Sequence, residues 1–235
     1  MNELLLFITA LLSGLFVWGG WKLGKERLYS VIIVFLILIT AVGGKIIILF
    51  GHETNTGNIF YASVYLATYF LIERFGRKEG LYSIWVGIIA VAFFTIAVQI
   101  TIAFAGIDAT APFNAALTAV YGSALRIAFA SIVAYMFSQN LNVRLYLYLK
   151  ERFHRRYLWL RANICNVVSQ LLDSGIFFAV AFWGVVAPSG IADIILTGLA
   201  IKIVYMMIAS PLLYLNRLEE EEEANGNVAV TLTLR

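Results

Sequence analysis

The stretch RANICNVVSQLLDSGIFF, residues 161–178, carries Asn163, Asn166, Gln170 and Asp173 among Leu, Ile, Val and Phe. Steps of three and four residues hold one face of an α-helix, so the four groups form a single hydrophilic stripe that Phe177 continues. Amides facing hydrocarbon without partners are costly, so this stripe must look into protein or water. Hydrogen bonds to neighbouring helices would make it an adhesive for a bundle. A cavity for a polar ligand is the alternative, and the carboxylate of Asp173 among the amides favours it.

Two cations fall at a similar depth in other apolar runs, Arg126 and Lys202. A buried ionisable group of this kind faces a partner or a wet cavity. One carboxylate opposed by two cations suits a ligand that has both donors and acceptors; the plainer reading is a permanent ion pair of Asp173 with Lys202 or Arg126. Tyr65, Tyr69, Phe177, Phe178 and Trp183 could sandwich a flat heterocycle, although each taken singly is ordinary packing. Lys45 and Gln99 are expected toward the outer side of the bilayer. Glu73 and Arg161 are expected toward the cytoplasmic ends, where long side chains can snorkel. Gln139 and Asn142 are expected near an inner mouth, and of the small residues around them only Ser131 invites a role beyond helix packing. Cys165 is the single cysteine, His52 and His154 fall between the apolar runs, and there is no HExxH, GxSxG or Walker A pattern. No metal, cofactor or catalysis is therefore expected.

The elements that position these groups follow from composition. Of 235 residues, 61% are hydrophobic and 13% charged, and the mean hydropathy is +0.86, where a soluble domain carries about a quarter of its residues as charges. The chain reads as all-α, a polytopic transmembrane bundle. Seven apolar runs, at about 4–21, 29–50, 58–75, 81–104, 115–138, 158–186 and 190–215, are each about long enough for one crossing. Lys22, Lys25 and Arg27 follow the first run, Arg74, Arg77 and Lys78 the third, and Arg144, Lys150, Arg152, Arg155 and Arg156 the fifth, whereas the loops between carry none. That alternation predicts seven spans with the N-terminus outside and the C-terminus inside. It also accounts for the net charge of +3 without nucleic acid. Leu145, Tyr148, Leu149 and Phe153 predict a helical extension along the cytoplasmic interface. Glu3 precedes the first run and its basic residues follow it, so an uncleaved first helix is expected and not a signal peptide. Residues 1–218 read as one integral domain, and the acidic run Glu219–Glu223 opens a disordered tail over 219–235.

The segments YASVYLATYFLIERFGRKEG (61–80), LRIAFASIVAYMFSQNLNVRLYLYLK (125–150), WLRANICNVVSQLLDSGIFFAVAFWG (159–184) and KIVYMMIASPLLY (202–214) together resemble the queuosine precursor transporter family, also described as vitamin uptake transporter-like. The resemblance implies import of a 7-deazaguanine such as 7-cyano-7-deazaguanine across a prokaryotic cytoplasmic membrane. It carries over Glu73, Arg126, Ser131, Gln139, Arg161, Asn163, Gln170, Asp173 and Lys202 as functional positions. On this reading Arg126, Asn163, Asn166, Gln170, Asp173, Lys202, Tyr69 and Phe177 bind substrate, and Glu73, Ser131, Gln139 and Arg161 serve gating or coupling. The chain departs from the family's pattern at Tyr69 and Asn142, where carboxylates are common, and at Cys165 and Asn166, where a Ser-Thr pair is usual. The first span resembles an addition to a six-helix core. The partners expected are a small heterocyclic substrate and the lipid bilayer, with a homo-oligomer left open. Two other functions are compatible with the sequence: a substrate-capture subunit of an energy-coupling-factor-type vitamin importer, and a seven-helix photoreceptor with retinal on Lys202. The second lacks a carboxylate one turn before the lysine, where Gly198 stands.

Overall fold

A computed structural model of the chain describes residues 1–43, 45–122, 124–153, 157–182, 195–196, 198–200, 202–205 and 207. The turn at Pro188 and Gly190, Trp183 and the tail 219–235 lie outside these residues, as does the side chain of Arg126. The described part is predominantly helical, with α1 (Asn2–Lys22), α2 (Lys25–Val42), α3 (Gly57–Phe75), α4 (Arg77–Ala103), α5 (Ala111–Tyr121), α6 (Ala124–Arg152) and α7 (Leu158–Phe182). A two-stranded antiparallel sheet, β1 (Ile46–Leu49) and β2 (His52–Asn55), separates α2 from α3. Asn2–Lys22, Arg77–Ala103 and Leu158–Ala181 are each long and apolar enough to cross a membrane. The chain is thus a helical membrane bundle with several long apolar helices.

Helix α3 is its centre. Every residue from Tyr61 to Ile72 is buried, and α1, α2, α4 and α7 all pack against it. A helix apolar on every side needs neighbours on every side. The outer helices instead leave one face bare. Trp85, Ile89, Phe93, Ile96 and Ile100 of α4 are exposed at helical spacing, a stripe suited to lipid. Between α3 and α4 the chain reverses at the single residue Gly76, at φ 88°, a conformation that glycine adopts without a side-chain clash.

Side chains join the elements at both ends and fix which end is which. Arg74 Nη1 donates to the Trp21 carbonyl at 3.2 Å, Lys25 pairs with Glu79 at 3.4 Å, the Tyr29 hydroxyl donates to the Glu79 carboxylate, and Lys150 pairs with Glu73 at 3.0 Å. The three basic segments therefore share one end. At the other end Asn2 Nδ2 donates to the Ile48 carbonyl at 2.9 Å and the Phe50 N–H donates to Glu3 at 3.3 Å. Helix α1 is thus strapped to the hairpin at its start and to the α3–α4 turn at its finish.

Three expectations are corrected. The second apolar run is not helical to residue 50: α2 stops at Val42, and the β-branched Ile46–Ile48 form a strand instead, closed by Phe50 at φ 51° and Gly51 at φ 82°. Lys45 is consequently exposed beside the hairpin and not inside a span. The fifth run is likewise not one helix from 115 to 138. It breaks after Tyr121, and α6 then continues without interruption to Arg152, because Ser138, Asn142 and Tyr146 keep one face of it buried well past the expected interface.

Close approach of α2, α4 and α6 depends on Gly87. A Cβ there would lie 2.6 Å from both Leu36 Cδ1 and Tyr135 Oη. Gly87→Leu is expected to lower stability by about 1–3 kcal/mol through overpacking, read as an earlier thermal unfolding midpoint in detergent. An unchanged midpoint would mean that this crossing is looser than described.

Candidate functional site

Asp173 sits two turns before the described end of α7, opposite the start of α3. Its Oδ1 accepts two hydroxyl hydrogens, from Tyr61 at 2.7 Å and from Ser138 at 3.0 Å. Tyr61 comes from α3 and Ser138 from α6, so one carboxylate oxygen ties three helices. Both bonds fall on the same oxygen. Lys202, in the last described helical stretch, is buried and donates to Gln170 Oε1 at 2.5 Å. Its ammonium also lies 4.8 Å from the centre of the Tyr61 ring, a favourable place for a cation. Tyr61 thus stands between the carboxylate and the cation. Close by, the Ser63 and Tyr205 hydroxyls share a hydrogen bond of 2.5 Å.

Below this group, toward the basic end, buried polar atoms lack partners among the described residues. Both amide atoms of Asn166, the Ser169 hydroxyl, Gln170 Nε2 and the Tyr65 hydroxyl are of this kind. Lys202 occupies Gln170 Oε1, so the free Nε2 is a donor with no other use. Buried polar groups are nearly always hydrogen-bonded, to protein or to ordered water. Asn166, Ser169 and Gln170 come from α7 and Tyr65 from α3.

A second polar cluster lies at the basic end. The Tyr69 hydroxyl donates to Asn142 Oδ1 at 2.9 Å and contacts the Ala162 carbonyl at 3.1 Å, while its ring stacks on Tyr146 with centroids 4.5 Å apart. Asn142 Nδ2 donates to Gln139 Oε1 at 3.3 Å, leaving Gln139 Nε2 unpartnered. Arg161 lies 5.1 Å from the Tyr146 ring centre and 3.6 Å from Glu73 Oε1. Glu73 Oε2 meanwhile pairs with Lys150.

The expected stripe is therefore partly realised. Asn166, Gln170 and Asp173 face the interior with Lys202 beside them, but Asn163 turns its Nδ2 back to the Trp159 carbonyl of its own helix at 2.8 Å. Phe177 is half-buried and meets Phe178 edge to face at 5.4 Å. Ser131 is half-buried, nearer the start of α6. Tyr69 is engaged by Asn142 and Tyr146 and sits between the two clusters. Arg161 is 1% exposed and does not snorkel, since Glu73 and the Tyr146 ring supply partners inside the bundle. Gln139 and Asn142 are fully buried and do not line an open mouth. Tyr61, Ser138, Tyr146 and Lys150 were not singled out from the sequence. Their signal is the four-residue spacing of Tyr61, Tyr65, Tyr69 and Glu73, and again of Ser138, Asn142, Tyr146 and Lys150. Among the described residues no three His, Cys, Asp or Glu gather in a way that could hold a metal.

Comparison with known proteins adds independent information. Residues 55–216 match a family model described as "Putative vitamin uptake transporter". A protein of Bacillus subtilis (strain 168), described as "Probable queuosine precursor transporter", is 31% identical over 202 residues, which are 86% of this chain and 82% of that protein. No solved structure matches. The matched residues include α3, α4, α6 and α7, the helices that supply both polar clusters.

Proposed function

The chain belongs to the vitamin uptake transporter family, and from that membership we propose that it imports a nitrogen heterocycle of the 7-deazaguanine type, such as 7-cyano-7-deazaguanine, across a bacterial cytoplasmic membrane. The observation that carries this reading is the row of unpartnered buried polar atoms beside Asp173. Such a ligand has an N1–H and an exocyclic amine that a carboxylate can accept, and a carbonyl that Gln170 Nε2, Asn166 or Lys202 can serve. The aromatic surfaces of Tyr61 and Tyr65 offer its flat ring a stacking contact. A ligand that satisfies every orphan gains affinity, whereas one lacking those groups leaves them bare and is rejected.

The bundle has seven spans in this reading, within one domain over 1–218, followed by a tail over 219–235. The gathering of three basic segments at one end, opposite the start of α1, supports an outward N-terminus. Substrate enters from the hairpin end, meets Asp173, and leaves past the Glu73 cluster when helices rearrange about the site. Arg126, expected at the depth of Asp173, stands twelve residues or about 18 Å before Ser138 along α6, so in this reading it serves the outer entrance, Phe177 borders the site, and Ser131 and Gln139 act in the rearrangement.

Thermal unfolding of the purified protein tests the reading. At 100 times its dissociation constant a specific ligand adds about 2.7 kcal/mol to stability, so 7-cyano-7-deazaguanine is expected to raise the midpoint by several degrees. Vitamins that lack the guanine-like edge are expected to leave it unchanged. Stabilisation by a vitamin and not by any deazaguanine would replace this reading with that of a vitamin-binding subunit.

A further inference from the structure

The two polar clusters are the ends of one column. Helix α3 contributes Tyr61, Tyr65, Tyr69 and Glu73, each four residues from the next; α6 contributes Ser138, Asn142, Tyr146 and Lys150 with the same step and direction. Helix α7 runs the other way and spans the same twelve residues from Asp173 to Arg161. At 1.5 Å per residue each row is about 18 Å long, with rungs about 6 Å apart. The contacts follow this register. Tyr61 and Ser138 meet Asp173 at one end, Tyr69 meets Asn142 and Tyr146 in between, and Glu73 meets Lys150 and Arg161 at the other.

We propose that this column conducts protons from Asp173 to Glu73 and so couples substrate entry to proton entry; the inference rests on the transport function proposed above. Carboxylates stand at its two ends, and hydroxyls with amides fill the length between them. The buried hydroxyls of Tyr65 and Tyr146 stand toward Ser138 and Glu73 without closing a hydrogen bond within 3.5 Å among the described residues, and Ser169 Oγ and Gln139 Nε2 are two further groups of this kind. Two hydrogen bonds of about 2.8 Å through one water bridge a rung-to-rung gap of about 6 Å.

The transfer is balanced. A proton from the outer side binds the Asp173 carboxylate; each hydroxyl or water accepts one proton and releases another, and the last leaves the Glu73 carboxylate on the basic side. One proton is moved and no other bond changes. The groups facing Asp173 are Tyr61 and Tyr65 from α3, Ser138 and Tyr135 from α6, and Lys202. Those facing Glu73 are Lys150 and Tyr146 from α6 and Arg161 from α7. Lys202 thus stands at the Asp173 end of the column, and Lys150 and Arg161 at the Glu73 end.

Proteoliposomes of the purified protein with labelled 7-cyano-7-deazaguanine provide the test. With the interior one pH unit more alkaline, one proton per neutral substrate supports up to about tenfold accumulation, which a protonophore should collapse. Glu73→Gln is expected to lose gradient-driven accumulation in larger proportion than exchange of labelled for unlabelled substrate at equal pH, and Glu73→Asp to restore part of the accumulation. Exchange by the wild type without gradient-driven accumulation, or accumulation that a protonophore leaves intact, overturns the coupling alone. Undiminished accumulation by Glu73→Gln overturns the column's route. Absence of any exchange by the wild type brings down the transport reading and the coupling together.

Discussion

Asp173→Asn lowers uptake at least about 100-fold, the equivalent of roughly 3 kcal/mol for removing one member of a buried charged set. Its Oδ1 accepts from Tyr61 and Ser138 at 2.7 and 3.0 Å, and an amide oxygen can retain those two bonds. The fold is therefore expected to survive. What the amide cannot retain is a second acceptor and a negative charge, since its other atom is a donor that would face the donors of a deazaguanine edge. Bonds to an ionised acceptor are about twice as strong as neutral ones, so ligand binding falls with transport. The variant's thermal midpoint and its response to ligand separate the two effects. A modestly lowered midpoint with no ligand shift is the expected pair of results, and wild-type uptake would remove Asp173 from the site.

The second large effect is on stability. Lys202→Met removes a buried ammonium from Gln170 and from the Tyr61 ring, leaving the Asp173 carboxylate in the same apolar surroundings without its nearest described cation. Lys202 bonds to Gln170 and acts on Asp173 through space, so the loss is expected to fall below the roughly 3–5 kcal/mol of breaking a buried pair in direct contact. The double variant Asp173→Asn with Lys202→Met should recover part of that loss, with an interaction energy of about 1–3 kcal/mol in a double-mutant cycle. It should not recover transport. Strict additivity of the two midpoint shifts would show that the groups do not sense each other.

Much of this arrangement is legible in the amino-acid order. The three-and-four spacing of Asn166, Gln170 and Asp173 is enough to predict one inward stripe, because the helix is long and apolar and a polar face in hydrocarbon needs partners. The alternation of basic loops likewise predicts that Lys25, Arg74 and Lys150 gather at one end. Tyr61 and Ser138 were harder to read: a tyrosine in an apolar helix looks the same whether its hydroxyl meets a headgroup, a backbone carbonyl or a carboxylate. Only the matching four-residue rows on two separate helices give it away, and their meaning depends on the helices being neighbours. Arg161 illustrates the same limit. Its place near a helix end suggested an escape to the interface, but Glu73, eighty-eight residues earlier in the chain, reaches it inside the bundle. The end of α2 failed for a local reason, since an apolar run of isoleucines does not tell a helix from a buried strand.

Helix α1 lies before residue 55, outside the stretch that matches the family model, yet Trp21 is among the largest fully buried side chains and stacks on Phe70 of α3 at 5.8 Å. Helix α3, the buried centre of the bundle, therefore leans on a helix that precedes the stretch matched by the family model. The matched stretch does not close its own interior in this molecule: α1 supplies one wall of it.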